Sequence, residues 1–178
     1  MKGTKMGNLL ERLQPDEAKT VLHRLLKEEP RLHAKAVAIA QELFSDIESE
    51  EVAFGIERDL ESLDIDDLND RTGEHGGGYV DPGEAAWVLI REAAEPFLAD
   101  LNRRRELGRG KEAVEICKGI VLGLYRAKKN DATSWAPDAP LEIAMEAVKA
   151  LGRLHLPPGF AVKCAPEWAA DLEGRRVE

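Results

Sequence analysis

Aromatic residues make up only 5% of the chain, and β-branched residues are sparse, which excludes a large sheet as the main architecture. There are 2 cysteines, Cys117 on an expected buried helix face and Cys164 in a proline-bearing tail, which do not suggest a disulfide framework, so the reduced thiols usual in cytoplasm are expected. No apolar run approaches the ~20 residues that a membrane-spanning helix needs. The opening Met1-Lys2-Gly3-Thr4-Lys5 is basic, but no apolar signal core follows it. A cytoplasmic protein without a membrane partner is the expectation.

Several chemistries lack their signatures. There is no Gly-x-Ser-x-Gly elbow for a serine nucleophile, no Gly-Lys-Ser/Thr or Gly-x-Gly-x-x-Gly for phosphates, and no His-x-x-x-His pair. The run Asp64-Ile65-Asp66-Asp67-Leu68-Asn69-Asp70 resembles a calcium loop only in composition. Its fifth position is Leu68, its sixth Asn69 and its twelfth His75, where oxygen ligand, glycine and glutamate are required. Paired carboxylates are abundant, but abundance in an acidic chain is not a glycosidase signature. No cofactor is expected.

What is present is helical periodicity. The chain has 178 residues, 43% hydrophobic and 33% charged, a composition that suits one globular helical domain over 1–178. Asp81-Pro82-Gly83-Glu84 reads as a helix start: a capping carboxylate, proline at the first position and an acid in the first turn. The stripe Ala86, Ile90, Ala93, Phe97 and Leu101 follows at helical spacing, widened by Trp87, Leu89 and Leu98. Pro96 inside this run predicts a kink or two shorter helices. Gly108 and Gly110 predict a turn, and Ala113, Ile116, Cys117, Ile120, Val121 and Leu124 predict a returning helix. Gly119 and Gly123 lie on one face of that helix, each costing roughly 1 kcal/mol of propensity. Either a neighbouring helix approaches closely there, or a well-packed helix simply tolerates them.

Similar stripes predict further helices. Ala18, Leu22, Leu25 and Leu26 are expected to face inward after Pro15, as are Leu32, Ala36, Ile39 and Leu43 after Pro30. Ser49 would cap a helix bearing Val52, Ile56, Leu60 and Leu63, and Asp64 a brief one over 65–70. Leu141, Ala144, Met145, Val148 and Leu151 mark the last helix. Between them come a disordered start of about 1–7, a glycine-rich loop at 72–80, a second loop at 130–140, and an irregular tail over about 157–178 with Trp168 as its anchor. The expected fold is all-α: about seven or eight helices in antiparallel pairs, forming an irregular bundle or a short solenoid.

Charge is polarised. Net charge is -9, and from Glu42 to Glu84 fifteen acidic residues face only Arg58 and Arg71. From Arg103 to Lys129 nine basic residues accompany Glu106, Glu112 and Glu115. The two halves would attract within the fold, or the basic half would meet an acidic partner.

Gly78-Tyr79-Val80-Asp81, Ala86-Trp87 and Leu107-Gly108-Arg109-Gly110-Lys111-Glu112-Ala113-Val114-Glu115 resemble the helical repeat segment of some bacterial SWIM zinc-finger proteins. Gly108 to Val114 is also similar to the inter-helix turn of tetratricopeptide repeats. The resemblance covers roughly 50 residues and implies a helical scaffold with a hint of nucleic-acid-associated company. The SWIM module's Cys-x-Cys and Cys-x-His pairs are absent here, so no zinc ligands carry over.

The expected function is a non-catalytic module that binds a protein partner, with Arg103, Arg104, Arg105, Arg109, Lys111 and Tyr125 as contact residues. Nucleic-acid association through the basic residues of 103–129 is an alternative that the acidic net charge does not favour. A further alternative centres on the loop near His75, where Glu74, His75, Asp81 and Glu84 form a conceivable metal or small-ligand set without rigid spacing. Oligomeric state has no signature in the sequence.

Overall fold

The computed structural model describes residues 9–44, 47–75, 78–129 and 131–174. The expected disorder over 1–7 lies outside them. The chain divides into two compact units, Met1–Asp46 and Ile47–Glu178, where one domain was expected.

The first unit holds α1 (Pro15–Glu28), a 3-10 turn (Pro30–Leu32) and α2 (His33–Leu43). Pro15 opens α1, and the Gln14 N–H donates to Glu17 Oε2 at 2.9 Å. The stripe on α1 does not face inward as its spacing predicts: no α1 residue is buried, and Leu22 and Leu25 are exposed. On α2, Ile39 is exposed and Ala36 half-buried, while the side chain of Leu43 lies outside the described residues. Two short helices have too little surface between them to close a core of their own.

The second unit carries the core. Its elements are α3 (Ser49–Glu61), α4 (Ile65–Asn69), β1 (Gly73–His75), β2 (Gly78–Val80), α5 (Pro82–Glu106), α6 (Gly110–Ala127), α7 (Asp131–Ser134), α8 (Ala139–Ala150), α9 (Phe160–Cys164), a 3-10 turn (Pro166–Trp168) and α10 (Ala169–Gly174). Helices dominate, as expected. The 72–80 segment, read from its glycines as a loop, contains an antiparallel pair in the register Gly73↔Val80, Glu74↔Tyr79 and His75↔Gly78. Gly73 and Gly78, the first residues of the two strands, take positive φ, which glycine adopts without strain.

α6 lies at the centre and packs on α3, α5 and α8. Ala113, Ile116, Cys117, Ile120, Val121, Leu122, Leu124 and Ala127 are all buried, so the helix is enclosed on nearly every side. Contacts between helices distant in sequence make this a bundle, whereas a solenoid repeat meets only its neighbours. The α5–α6 turn ends α5 with a left-handed Gly108 at φ 71. Gly108 N–H donates to the Arg105 carbonyl at 3.0 Å and Arg109 N–H to the Arg104 carbonyl at 2.8 Å, which satisfies two otherwise orphaned acceptors.

α5 runs unbroken through Pro96. That residue and Glu92, whose carbonyl loses its donor, both lie on the exposed side, so the missing bond leaves no polar group buried. Asp81 caps α5 as expected, its Oδ1 accepting from Gly83 N–H at 2.8 Å. Asp64 caps α4 through Asp66 N–H at 2.8 Å and Asp67 N–H at 3.0 Å, and Asp67 answers through the Asp64 N–H at 3.0 Å. Ser49 is not a cap; it is the first residue of α3, after Glu48.

The glycine pair on α6 marks a close helix crossing. A Cβ on Gly119 would stand 2.4 Å from Val52 Cβ and 2.6 Å from the Ser49 carbonyl oxygen. One on Gly123 would stand 2.7 Å from the Ala53 carbonyl oxygen. Farther along the same crossing, Arg126 reaches Glu50 at 2.8 Å and Glu57 at 3.2 Å, and the bonds to Glu50 push its guanidinium above its ordinary value. Opposite charges of the two halves thus meet inside the fold.

The tail is not irregular. Ala161, Ala165, Trp168 and Leu172 are buried, and the Trp168 ring stands edge-on to Tyr125 with centroids 5.0 Å apart. Lys128 sits 4.0 Å from the Tyr125 ring centroid and pairs with Glu167. Partial burial opposes the Lys128 charge, but its bonds to Glu167 and Tyr125 outweigh this and raise it. The Lys128 ammonium in turn holds the Glu167 carboxyl below the usual carboxylate range.

Two outcomes follow. Gly119→Ala gains roughly 1 kcal/mol of helix propensity but must force α3 from α6, for a net loss of about 1–3 kcal/mol in urea unfolding. A Gly119→Ala protein as stable as the parent would disprove the close crossing. Glu167 favours the docked tail above its ordinary pKa, and that contribution fades as pH falls through the lower folded value. Protonating Glu167 should therefore loosen its contact with Lys128 and cost a small part of the stability, and Glu167→Gln should remove that part of the pH dependence in urea unfolding compared above and below the usual carboxylate range.

Candidate functional site

The basic residues of 103–129 do not assemble into one open face. Arg104 is buried on α5 and donates to Asp100 at 3.1 Å. Arg105 Nη1 donates to the Ala150 carbonyl on α8, and Arg109 pairs with Glu112 at 2.5 Å. Lys118 pairs with Glu115 at 2.8 Å. Tyr125 packs under the tail and donates to Glu167 at 3.4 Å. Arg103 and Lys111 are exposed, at opposite ends of the α5–α6 turn. Of the six expected contact residues, Arg105 and Tyr125 thus link separate elements, and Arg104 and Arg109 pair with acids close by in sequence.

The set near His75 is equally dispersed in role. Asp81 is a helix cap, Glu84 lies exposed in the first turn of α5, and Glu74 pairs across the β-strands with Tyr79. The His75 side chain lies outside the described residues. Among the described residues, no group of three or more His, Cys, Asp or Glu is placed to hold a metal ion.

Nucleophiles are similarly placed for structure. Cys117 is fully enclosed on α6, and burial pushes its thiol well above its ordinary value. Cys164 is half-buried at the end of α9.

One concave feature of the second unit is a mainly apolar groove of about 500 Å³, lined by Leu63, Asp64, Ile65, Leu68, Ala86, Leu89, Ile90, Ser134 and Trp135; another, of about 410 Å³, lies by the α5–α6 turn against Leu151 and Leu154. Its floor is core: Leu68, Ala86, Leu89 and Ile90 are buried. Its rim is not, since Ile65 is 55% and Trp135 52% exposed.

Local chemistry builds each wall. The reciprocal Asp64–Asp67 cap starts α4 and turns Leu68 down while Ile65 stays out. Trp87 Nε1 donates to Glu142 at 3.0 Å, and Arg91 pairs with Glu95 and with Glu146 at 3.0 Å, which fastens α5 to α8. Thr133, wholly buried, donates to the Ala127 carbonyl at 3.2 Å and so ties α7 to the end of α6. The Ala136 N–H to Thr133 carbonyl bond at 3.2 Å then sets the turn that carries Trp135.

Sequence reasoning missed this groove. Ile65 and Trp135 belong to no helical stripe, and Trp135 stands in the segment read as a loop. The available signal was two large apolar residues in short polar segments beside capping groups. The lining holds no histidine or cysteine, and its polar side chains are Asp64 and Ser134.

Against protein-family models, curated proteins and solved structures, the chain has no match.

Thiol chemistry tests the inertness of the core cysteine. A disulfide reagent should modify Cys164 in the native protein and Cys117 only after unfolding. Rapid native modification of Cys117, located by peptide mass mapping, would contradict its enclosure.

Proposed function

We propose that this chain is a non-catalytic interaction module that holds a protein partner in the groove between α4, α5 and the Trp135 turn, and that it works in the cytoplasm. The observation that carries this reading is the pairing of a buried apolar floor with a half-exposed Trp135 and Ile65 on the rim. An aromatic anchor beside a preformed apolar depression is what interface hot spots are made from. The groove's lining favours binding over catalysis: it is mostly apolar, its one carboxylate, Asp64, is engaged in capping α4, and Ser134 has no histidine beside it among the lining residues.

The contacts then fall on Ile65, Leu68, Leu89 and Trp135 and not on Arg104, Arg105 and Tyr125, which are already engaged within the fold. No helix among the described residues is long and apolar enough to cross a membrane.

The test compares the parent with Ile65→Ala/Trp135→Ala in pull-downs from the native lysate, after nuclease treatment and at two salt concentrations. Both residues are half-exposed, so the variant should fold with little loss. A partner retained by the parent should bind the variant at least tenfold more weakly, about 1.4 kcal/mol. Equal recovery by both proteins would end the groove reading. Recovery of nucleic acid, with protein partners lost on nuclease treatment, would move function to the exposed basic residues.

A further inference from the structure

We infer that the second concave feature, by the α5–α6 turn, binds a small phosphate monoester with an apolar body. The site is separate from the groove, and its assignment does not rest on the groove reading.

The cavity of about 410 Å³ is lined by two arginines, Arg105 and Arg153, by Leu151 and Leu154, and by three glycines. Every charged side chain in that lining is a cation, in a chain whose net charge is -9. The acids nearest in sequence do not line it. Asp100 is held by Arg104 at 3.1 Å and Glu112 by Arg109 at 2.5 Å, while Glu106 is exposed. Arg105 spends Nη1 on the Ala150 carbonyl, one donor of the five that a guanidinium carries. Arg153 is exposed and has no hydrogen bond or ion pair among the described residues. The two guanidiniums therefore retain donors at one space that no carboxylate of the chain fills.

Backbone geometry keeps that space open. Beyond α8, the N–H groups of Leu151, Gly152 and Leu154 donate to the carbonyls of Val148, Lys149 and Leu151 at 3.2, 3.1 and 3.1 Å, so Arg153 is carried on a bonded turn. A Cβ on Gly108 would meet nothing within 4 Å, and one on Gly152 only Arg105 Nη1 at 4.0 Å. Leu154 seats against the start of α6, where a Cβ on Gly110 would stand 3.2 Å from its Cδ2. α6 has no side-chain cap on its first turn, and its positive end adds potential of the same sign as the arginines.

Charge and size select the guest. Two guanidiniums match a doubly charged oxyanion, and a phosphate monoester carries about −1.5 to −2 near neutral pH with three acceptor oxygens, where a carboxylate carries a single charge. The planar arginine fork suits those oxygens. The volume lies in the range of small-molecule sites and exceeds the needs of a bare ion. Buried Leu151 and half-buried Leu154 offer an apolar wall to the rest of the molecule.

The experiment titrates the full chain calorimetrically with phenyl phosphate, inorganic phosphate and benzoate at about 50 mM salt, where charge is weakly screened. Phenyl phosphate should bind about tenfold tighter than either of the others. Arg153→Gln, at an exposed and unpaired residue, should fold as the parent does and weaken phenyl phosphate about tenfold. Lys129→Gln, which removes an exposed cation at the far end of α6, should leave binding unchanged. Leu154→Ala should bring phenyl phosphate down toward inorganic phosphate.

Equal binding by the parent and Arg153→Gln would overturn the site, as would no binding at about 5 mM phenyl phosphate. Benzoate as tight as phenyl phosphate would overturn the phosphate assignment, and inorganic phosphate as tight would overturn the apolar body. A short single-stranded DNA that binds more tightly and displaces phenyl phosphate would overturn the small-molecule guest and give the arginines to a nucleic-acid backbone.

Discussion

The second unit depends on the contact between α3 and α6, where backbone meets side chain without an intervening Cβ. Gly119 and Gly123 leave the surface of α6 bare at the point where Val52, Ala53 and the Ser49 carbonyl press against it. Dispersion between close-packed atoms falls steeply with separation, so the lost helix propensity is offset only if the approach is tight. Once α3 is seated, α6 is enclosed on the remaining sides by α5 and α8, and Cys117, Ile120 and Leu124 become fully buried.

Charge works within that frame. The acidic and basic stretches, separated in sequence, meet where Arg126 bridges Glu50 and Glu57 of α3. Lys128 performs a similar task for the tail through Glu167. Exposed pairs of this kind contribute little stability singly, and they orient elements already brought together by apolar burial. The carboxylates that remain unpaired around α4 and at the start of α5 are therefore a surface property.

Much of the second unit was readable because its devices are local. The Asp81-Pro82 start, the Gly108 turn, the Asp64 cap and the anchoring role of Trp168 each depend on residues within a few positions or on one large apolar side chain. The readings that differed share a cause. Leu22, Leu25 and Ile39 have helical spacing, but spacing states which face is apolar and not whether anything covers it. The tail was read as irregular because Pro157, Pro158 and Pro166 break periodicity, yet short turns between them still bury Ala161, Ala165 and Leu172. The 72–80 glycines excluded a helix and concealed a short strand pair.

The sequence by itself determined an all-α composition, the starts and stops of most helices, and the face that each helix offers, because these follow from backbone geometry and neighbouring side chains. Tertiary structure alone decided which cations stay open, since Arg105 finds the Ala150 carbonyl and Arg126 finds α3 across long sequence separations. It also decided where the groove lies. Ile65, Leu89 and Trp135 come from three separate segments, and only the packing of α4, α5 and α7 turns them into one groove.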